Sequence, residues 1–378
     1  MTPIRITMLI ASLDLTGTPR MMMDIIENIN FRKFAVSVAY KPEYPGCEPD
    51  LKKDLDSLGI RLIPLRGKRL FDLQGIFDLY NHLKKDSVQI VHCWDALGIA
   101  ARVLSLFSKF RIIQTYCNTL VSKGSIAYFF LNKMTSPLID GIIFCSAGVQ
   151  KSYERGKTIF LNNDKIALIH NCTDIDKIQK RYYDLKKIKI RWNINDNDVI
   201  LTNIGFFNEQ KGQKYLLDAI RIVVKQIPNI KLILVGWGPL EGCLRTQARE
   251  LEIENNVLFA GKCPHDTVFE ILSVADIFVL SSLWEGFGLV LAEAMALSKP
   301  VVCTRTDGSQ LLVQHNKTGL IVPPKSPHDL AAAIIYLLNR PKLREQMGVF
   351  GKERVSSYFS PDKFIEQHQW FYNAILQS

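Results

Sequence analysis

Two glutamates flank a glycine bend in the segment 277–302, IFVLSSLWEGFGLVLAEAMALSKPVV, and no other stretch combines residues so suited to chemistry. The pattern predicts a strand ending at Ser281-Ser282, a turn Glu285-Gly286-Phe287-Gly288, and a helix from about Leu289 to Leu297. Without a Cβ, Gly286 and Gly288 let a ligand approach the backbone closely. The new helix offers unpaired N–H groups and a partial positive charge, which suits a phosphate. Glu285 lies in the turn and Glu293 in the second helical turn, so both can flank a ligand lying across the helix start. A carboxylate accepts hydrogen bonds from two neighbouring hydroxyls, such as a ribose diol or a hexose presents. The plainer reading is a surface glutamate in a glycine turn followed by an ordinary helical one.

A second segment, Gly205-Phe206-Phe207-Asn208-Glu209-Gln210-Lys211-Gly212, joins a strand end to a helix start. Lys211 sits where an ammonium could neutralise a diphosphate as it departs, although most surface lysines are merely solvated. The turn Val235-Gly236-Trp237-Gly238-Pro239 is a lone G-x-G, weak evidence by itself. In the first half, Asp14-Leu15-Thr16-Gly17-Thr18-Pro19-Arg20 opens a helix and could present amides to a phosphate or acceptor. Pro19 is also ordinary helix-start chemistry. Two further loops, Val91-His92-Cys93-Trp94-Asp95 and Thr115-Tyr116-Cys117-Asn118-Thr119, follow strands and are expected to face the ligand. The Cys117 thiol could hydrogen-bond but would not carry protons as an imidazole does at neutral pH.

These residues need elements to hold them. Strand-like runs occur at 4–12, 35–41, 61–65, 88–94, 111–117, 141–146 and 165–170, and segments such as 73–85 between them show helical spacing. A basic stretch, 177–191, reads as a surface connector, after which the alternation restarts with strands at 199–206, 231–236, 256–260, 277–281, 300–304 and 319–322. Nearly continuous apolar strands are those buried on both faces, so the sheets should be parallel with helices on each side. The expected fold class is α/β, two Rossmann-like doubly wound domains with a ligand cleft between them. The expected boundaries are 1–172 for an acceptor domain and 173–358 for a donor domain, with the aromatic-rich helix in 359–378 packing back on the first.

At 378 residues the chain suits two domains. It contains no apolar run long enough to span a bilayer and no signal-peptide pattern at its start. Eight scattered cysteines without a C-x-x-C pair favour free thiols in a reducing cytosol. The net charge of +10 is concentrated in the first half: residues 1–170 hold 22 Lys and Arg against 15 Asp and Glu. That balance suits an anionic partner, a phosphate-bearing acceptor or an acidic membrane surface. Nucleic-acid motifs are missing. So is a strand followed by G-x-G-x-x-G with a later acidic residue, which argues against a nicotinamide enzyme.

The segment Ser282-Leu283-Trp284-Glu285-Gly286-Phe287-Gly288-Leu289, with Glu293-Ala294-Met295-Ala296 and Lys299-Pro300-Val301, resembles the E-x7-E region of retaining glycosyltransferases with the GT-B fold, in particular glycosyltransferase family 4. The resemblance extends over nearly the whole chain. It implies that Glu285 contacts the donor sugar, that Glu293 contacts the ribose, and that the backbone at Gly286, Phe287, Gly288 and Leu289 meets sugar and diphosphate. It also implies a catalytic role for Lys211, with Gly17, Gly205, Phe206 and Gly236 bordering the donor, and His92, Cys117 and Asn118 on the acceptor side. The chain departs from the family at several points. Phe206 replaces an arginine, so that either Arg305 or Arg20 substitutes or diphosphate binding is weakened, and Cys117 replaces a histidine. Asp307 and Leu311 stand where Gly and Glu are usual. His170-Asn171-Cys172-Thr173-Asp174 resembles a Pro-Asn-Gly-x-Asp turn, and Thr318-Gly319 a later family turn; both read as architecture.

The resemblance thus implies a hexosyltransferase that moves a sugar from a nucleotide-diphosphate donor, such as a UDP-sugar, to a glycan, lipid-linked or other acceptor with retention. It implies no metal cofactor. Cell-envelope or surface polysaccharide synthesis, at or near the cytoplasmic face of the membrane, is the expected setting. The alternative is a non-catalytic scaffold or regulatory subunit that binds nucleotide sugar, an idea motivated by Phe206 and Cys117. The mixed cationic and apolar stretch 66–71 and the aromatic 126–131 could touch an anionic bilayer.

Overall fold

The computed structural model describes residues 2–42, 50–69, 71–119, 126–160, 163–181 and 183–377. It separates into two compact units, Met1–Cys172 with Pro361–Ser378, and Thr173–Ser360.

The first unit is built on strands β1 (Ile4–Leu9), β2 (Phe34–Tyr40), β3 (Arg61–Pro64), β4 (Ile90–Cys93), β5 (Arg111–Tyr116), β6 (Gly141–Phe144) and β7 (Ile166–Leu168). All pair in parallel, in the order β3-β2-β1-β4-β5-β6-β7. The central strands are buried along their length, so no polar alternation survives in them. The second unit repeats the plan with β8 (Val199–Ile204), β9 (Ile230–Val235), β10 (Val257–Gly261), β11 (Ile277–Leu280), β12 (Val301–Thr304) and β13 (Gly319–Val322), in the parallel order β10-β9-β8-β11-β12-β13. Its core packs Leu216, Leu217 and Ile220 of the helix Gln213–Val224 and Ile334 of the helix Pro327–Leu338 against Leu201, Leu232, Val279 and Val302 of the sheet. Every strand expected from the sequence forms, with ends within three residues.

Strand order matters for function. In the second sheet β8 connects onward to β9 on one side, and β11 to β12 on the other. The loops leaving β8 and β11 therefore diverge and open a crevice at the carboxyl ends of two adjacent strands. The first sheet has the same switch between β1 and β4.

The helix Pro361–Gln377 belongs to the first unit, whereas Phe359 and Ser360 belong to the second. Its Phe371, Tyr372 and Ile375 are buried, and Gly141 makes room for them: a Cβ there would lie 2.8 Å from the Phe371 ring. The stretch 177–191 is not the irregular connector its composition suggests. It contains the helices Ile175–Gln179 and Leu185–Arg191, capped by Asp174 and Asp184 and anchored by buried Ile178 and Ile188. A basic, strand-poor run hid them because only one residue of each reaches the core. Cys47 and Leu70 lie outside the described residues; the other seven cysteines are free thiols.

Candidate functional site

The loops after β8 and β11 are stitched together by one backbone and two side-chain-to-backbone hydrogen bonds. The Leu283 N–H donates to the Gln210 carbonyl at 2.7 Å, the Ser281 hydroxyl to the Lys211 carbonyl at 2.9 Å, and the Gln210 amide to the Trp284 carbonyl at 3.2 Å. Asn208 caps the turn Glu209–Lys211 by accepting from the Lys211 N–H. Gly212 then adopts a φ of +61°, where a Cβ would also strike the Ser281 carbonyl at 2.3 Å. Only glycine ends this turn so close to the neighbouring strand.

The stitching brings Lys211 and Glu285 together. Their ammonium and carboxylate are 2.5 Å apart, with side chains 17% and 9% exposed. The lysine stem crosses Gly205, whose missing Cβ leaves the room: one built there would sit 3.2 Å from the stem. Ser282 offers a further hydroxyl to Glu285 at 3.4 Å. An ammonium has three donors, so one bond to Glu285 leaves two for a ligand's oxygens.

The bend continues through Gly286 and Phe287 to Gly288, which caps the helix Leu289–Ala296 in the left-handed region at φ +93°. The opening N–H groups of that helix have no partner within it. The Gly308 N–H donates to the Glu285 carbonyl at 2.9 Å and fixes the bend from the far side. The Phe287 side chain is buried against Phe359, with ring centroids 5.5 Å apart, so only its backbone remains for a ligand. Glu293 is mostly buried and accepts from, or pairs with, Nε2 of His265 at 2.8 Å. His265 begins the helix that follows β10 and went unnoticed in the sequence, since nothing in its spacing ties it to Glu293.

Around the rim, Phe206 and Trp237 meet edge to face at 5.7 Å, and Lys262 lies 5.0 Å from the Trp237 ring. Gly236 packs where a Cβ would be 2.0 Å from the Gly205 carbonyl. Of the two arginines considered for the cation missing at Phe206, Arg20 is bound to Asp24 and Glu27 of its own helix in the first unit. Arg305 is exposed directly after β12 and pairs with no side chain among the described residues.

The first unit corrects one expectation. His92 does not face a ligand. It is fully buried, with Nδ1 2.8 Å from the Tyr372 hydroxyl, Nε2 2.6 Å from the Thr115 hydroxyl, and its ring stacked on Trp94. Burial holds its pKa well below the usual value, so it stays neutral and ties the C-terminal helix to the sheet. Its place in the middle of β4, rather than past its end, decides this. Asp95, at the carboxyl end of β4, lies instead mostly covered at the switch point, where it accepts from the Leu97 N–H at 2.8 Å and from the Ala11 N–H after β1. Burial of its oxygens pushes its pKa up to about 6. Cys117 is half-buried with its thiol pKa raised by burial, Asn118 is exposed, and Gly17 is exposed at its helix start, where Asp14 organises the preceding turn.

Among the described residues no helix is long and apolar enough to cross a membrane. The whole chain superposes on solved glycosyltransferases. Against Anabaena HepE in complex with UDP and glucose the TM-score is 0.85 over 98% of this chain and 100% of that one, at 17% identity. This is the GT-B architecture of two Rossmann-like domains. Two sequence profiles tile most of the chain: Glycosyltransferase Family 4 over residues 15–177, and Glycosyl transferases group 1 over residues 184–354. The chain belongs to glycosyltransferase family 4. Among curated relatives, the N-acetyl-alpha-D-glucosaminyl L-malate synthase of Bacillus anthracis is 34% identical over 57% of this chain and 55% of its own length. An uncharacterized glycosyltransferase of Methanocaldococcus jannaschii, MJ1059, is 31% identical over 68% of this chain and 66% of its own. The match to the first of these thus spans about half of that relative.

Proposed function

We propose that the protein is a retaining glycosyltransferase that takes a hexose from a nucleoside-diphosphate donor to a glycan or lipid-linked acceptor. The Lys211–Glu285 pair at the crevice between β8 and β11 carries this reading. In it, Glu285 accepts from the sugar hydroxyls and Glu293, held by His265, accepts from the ribose diol. Lys211 and the amides opening the helix Leu289–Ala296 receive the negative charge that develops on the diphosphate, which is where fixed donors stabilise a transition state most. The bond between the anomeric carbon and the phosphate oxygen breaks. The acceptor oxygen bonds to that carbon on the same face, and its proton passes to the departing phosphate oxygen.

No metal cofactor enters this scheme. Gly17, Gly205, Phe206 and Gly236 border the donor, and Cys117 and Asn118 lie on the acceptor side; Asp95 replaces His92 among the polar groups there. The basic first half suits a phosphate-bearing or lipid-linked acceptor and work at the cytoplasmic face of a membrane, in cell-envelope or surface polysaccharide synthesis.

A thermal-shift series across nucleotide sugars tests the donor. A cognate donor at about a hundred times its Kd stabilises by about 2.7 kcal/mol, and UDP-sugars are the first to try. If no nucleotide sugar raises the melting temperature, the proposal fails. Stabilisation without nucleotide release in the presence of acceptors would point to the scaffold reading.

His265→Ala should raise the donor KM roughly tenfold, the loss of about one hydrogen bond's worth of orientation at Glu293, with kcat largely kept. His265→Gln, which retains a donor, should recover part of it. Equal losses in kcat for both variants would show that His265 does not act through ribose binding.

A further inference from the structure

We propose that Arg354 is a positioning residue for the glycine bend. From the helix Pro341–Tyr358 its guanidinium holds the helix Asp307–Leu312 against Glu285–Gly288 and so sets where Glu285 stands, which matters for turnover on the reading that Glu285 meets the donor sugar.

The helix Asp307–Leu312 lies directly on the bend. Its Gly308 N–H donates to the Glu285 carbonyl at 2.9 Å, and a Cβ at Gly308 would lie 2.4 Å from the Phe287 carbonyl oxygen. With no slack between them, a shift of the helix passes straight to the bend. A helix of six residues is too short to hold itself, so its ends must be fixed from outside. Thr306 and Ser309 fix the start with a reciprocal capping box. The Ser309 hydroxyl also donates to the Thr304 carbonyl at 2.6 Å, which ties that start to the end of β12.

Arg354 fixes the other end. Its Nε donates to the Leu312 carbonyl and its Nη2 to the Leu311 carbonyl, both at 2.7 Å. Carbonyls in the last turn of a helix have no partner within it. Leu312 is fully buried, so its carbonyl depends on this donor. The planar guanidinium grips both oxygens at once, as a fork that a lysine ammonium does not reproduce. The ring of Tyr358, one turn further along, lies 5.3 Å from the guanidinium.

The helix that carries Arg354 is itself seated behind the same region. Gly351 lets it close on the helix Leu289–Ala296, where a Cβ would lie 3.5 Å from the Met295 side chain. At Gly348 a Cβ would lie 2.0 Å from the Ser298 carbonyl oxygen. Phe359, just past its end, packs on Phe287. Two elements therefore back the bend and the helix that follows it, and Arg354 ties those two elements together.

The test compares Arg354→Ala and Arg354→Lys with the parent, all as the full chain and all below the onset of melting. Arg354→Ala should lower kcat by about tenfold to a hundredfold, the scale of a small displacement at reacting groups. Its donor KM should stay within about threefold, because Glu293 and His265 are untouched. Arg354→Lys keeps the charge but not the fork; it should lose kcat as well, and carries the test if the alanine variant melts early. Added methylguanidinium should restore part of the turnover of Arg354→Ala and none of that of Lys211→Ala. Ile334→Val, a small core loss elsewhere in the second unit, should lower the melting temperature and leave kcat alone.

In the double variant with Gly308→Ala the two losses should not multiply, since both act through one helix; losses that multiply would overturn the proposal. Hydrogen exchange supplies an arm that needs neither donor nor turnover: the Gly308 amide should exchange faster in Arg354→Ala than in the parent, and unchanged exchange would overturn it. Parent-like kcat in both Arg354 variants, with Glu285→Ala inactive, would overturn it too while the donor reading stood. Glu285→Ala with normal turnover would instead sink the donor reading, and the exchange result would still decide whether Arg354 holds the bend.

Discussion

Lys211→Ala will cut turnover by roughly 10²–10³-fold, the scale on which removing one preorganised donor to developing negative charge acts. The lysine is held between the two switch-point loops by a chain of hydrogen bonds, and its partner Glu285 is only 9% exposed. Phe206 supplies no second charge at this point, and Arg305 lies on a different loop, after β12. Glu285→Ala should be as severe: under the proposed function it removes the hydrogen-bond acceptor for the donor sugar, and it leaves the Lys211 ammonium half-buried without its carboxylate. Both variants should keep the parallel-sheet fold, which rests on the core beneath them, and circular dichroism with a thermal melt will check this. Steady-state kinetics with the cognate donor decides the matter: near-normal turnover in both variants would remove these residues from the chemistry.

Gly308→Ala should be nearly as damaging, although it changes only a hydrogen into a methyl group. A Cβ at Gly308 would lie 2.4 Å from the Phe287 carbonyl oxygen and 2.8 Å from its Cα. These are backbone atoms and cannot turn aside like a side chain. The bend Glu285–Gly288 must move, and with it the bond from the Gly308 N–H to the Glu285 carbonyl. The expected cost is about 1–3 kcal/mol of stability from overpacking. A displacement of about 1 Å at the reacting groups would cost roughly a hundredfold in turnover. Gly242→Ala is the control. Nothing lies within 4 Å of its added carbon, and it sits inside the helix Glu241–Glu250, so alanine there should stabilise by up to about 1 kcal/mol. If Gly308→Ala behaves like Gly242→Ala, the bend is not held from this side.

Much of the architecture was legible before any coordinates. Parallel strands buried on both faces write themselves as runs such as Val301-Val302-Cys303 and Ile142-Ile143-Phe144, because neither face needs a polar residue. The glycine bend was legible for the same local reason: Gly288 caps its helix at a positive φ that few other residues accept.

What failed locally depended on partners far away in the chain. His92 looked like a ligand-facing histidine, but its ring nitrogens belong to Thr115 and to Tyr372, some 280 residues on. His265 looked like nothing, yet it holds Glu293. The stretch 126–131 left open whether its aromatic side chains are buried, and only packing showed Phe130 turned outward.

The sequence by itself therefore determined which segments become strands and helices, where the backbone must bend on glycine, and which carboxylates and lysine stand at strand ends. Those follow from side-chain periodicity and local φ, ψ preference, which act over a few residues. Only the tertiary structure decided that β8 lies beside β11, that Lys211 therefore meets Glu285, that His265 takes Glu293, and that His92 is packing. Those pairings arise from burying apolar strands in one sheet order, and no local pattern of residues encodes which distant side chains that order brings within hydrogen-bonding reach.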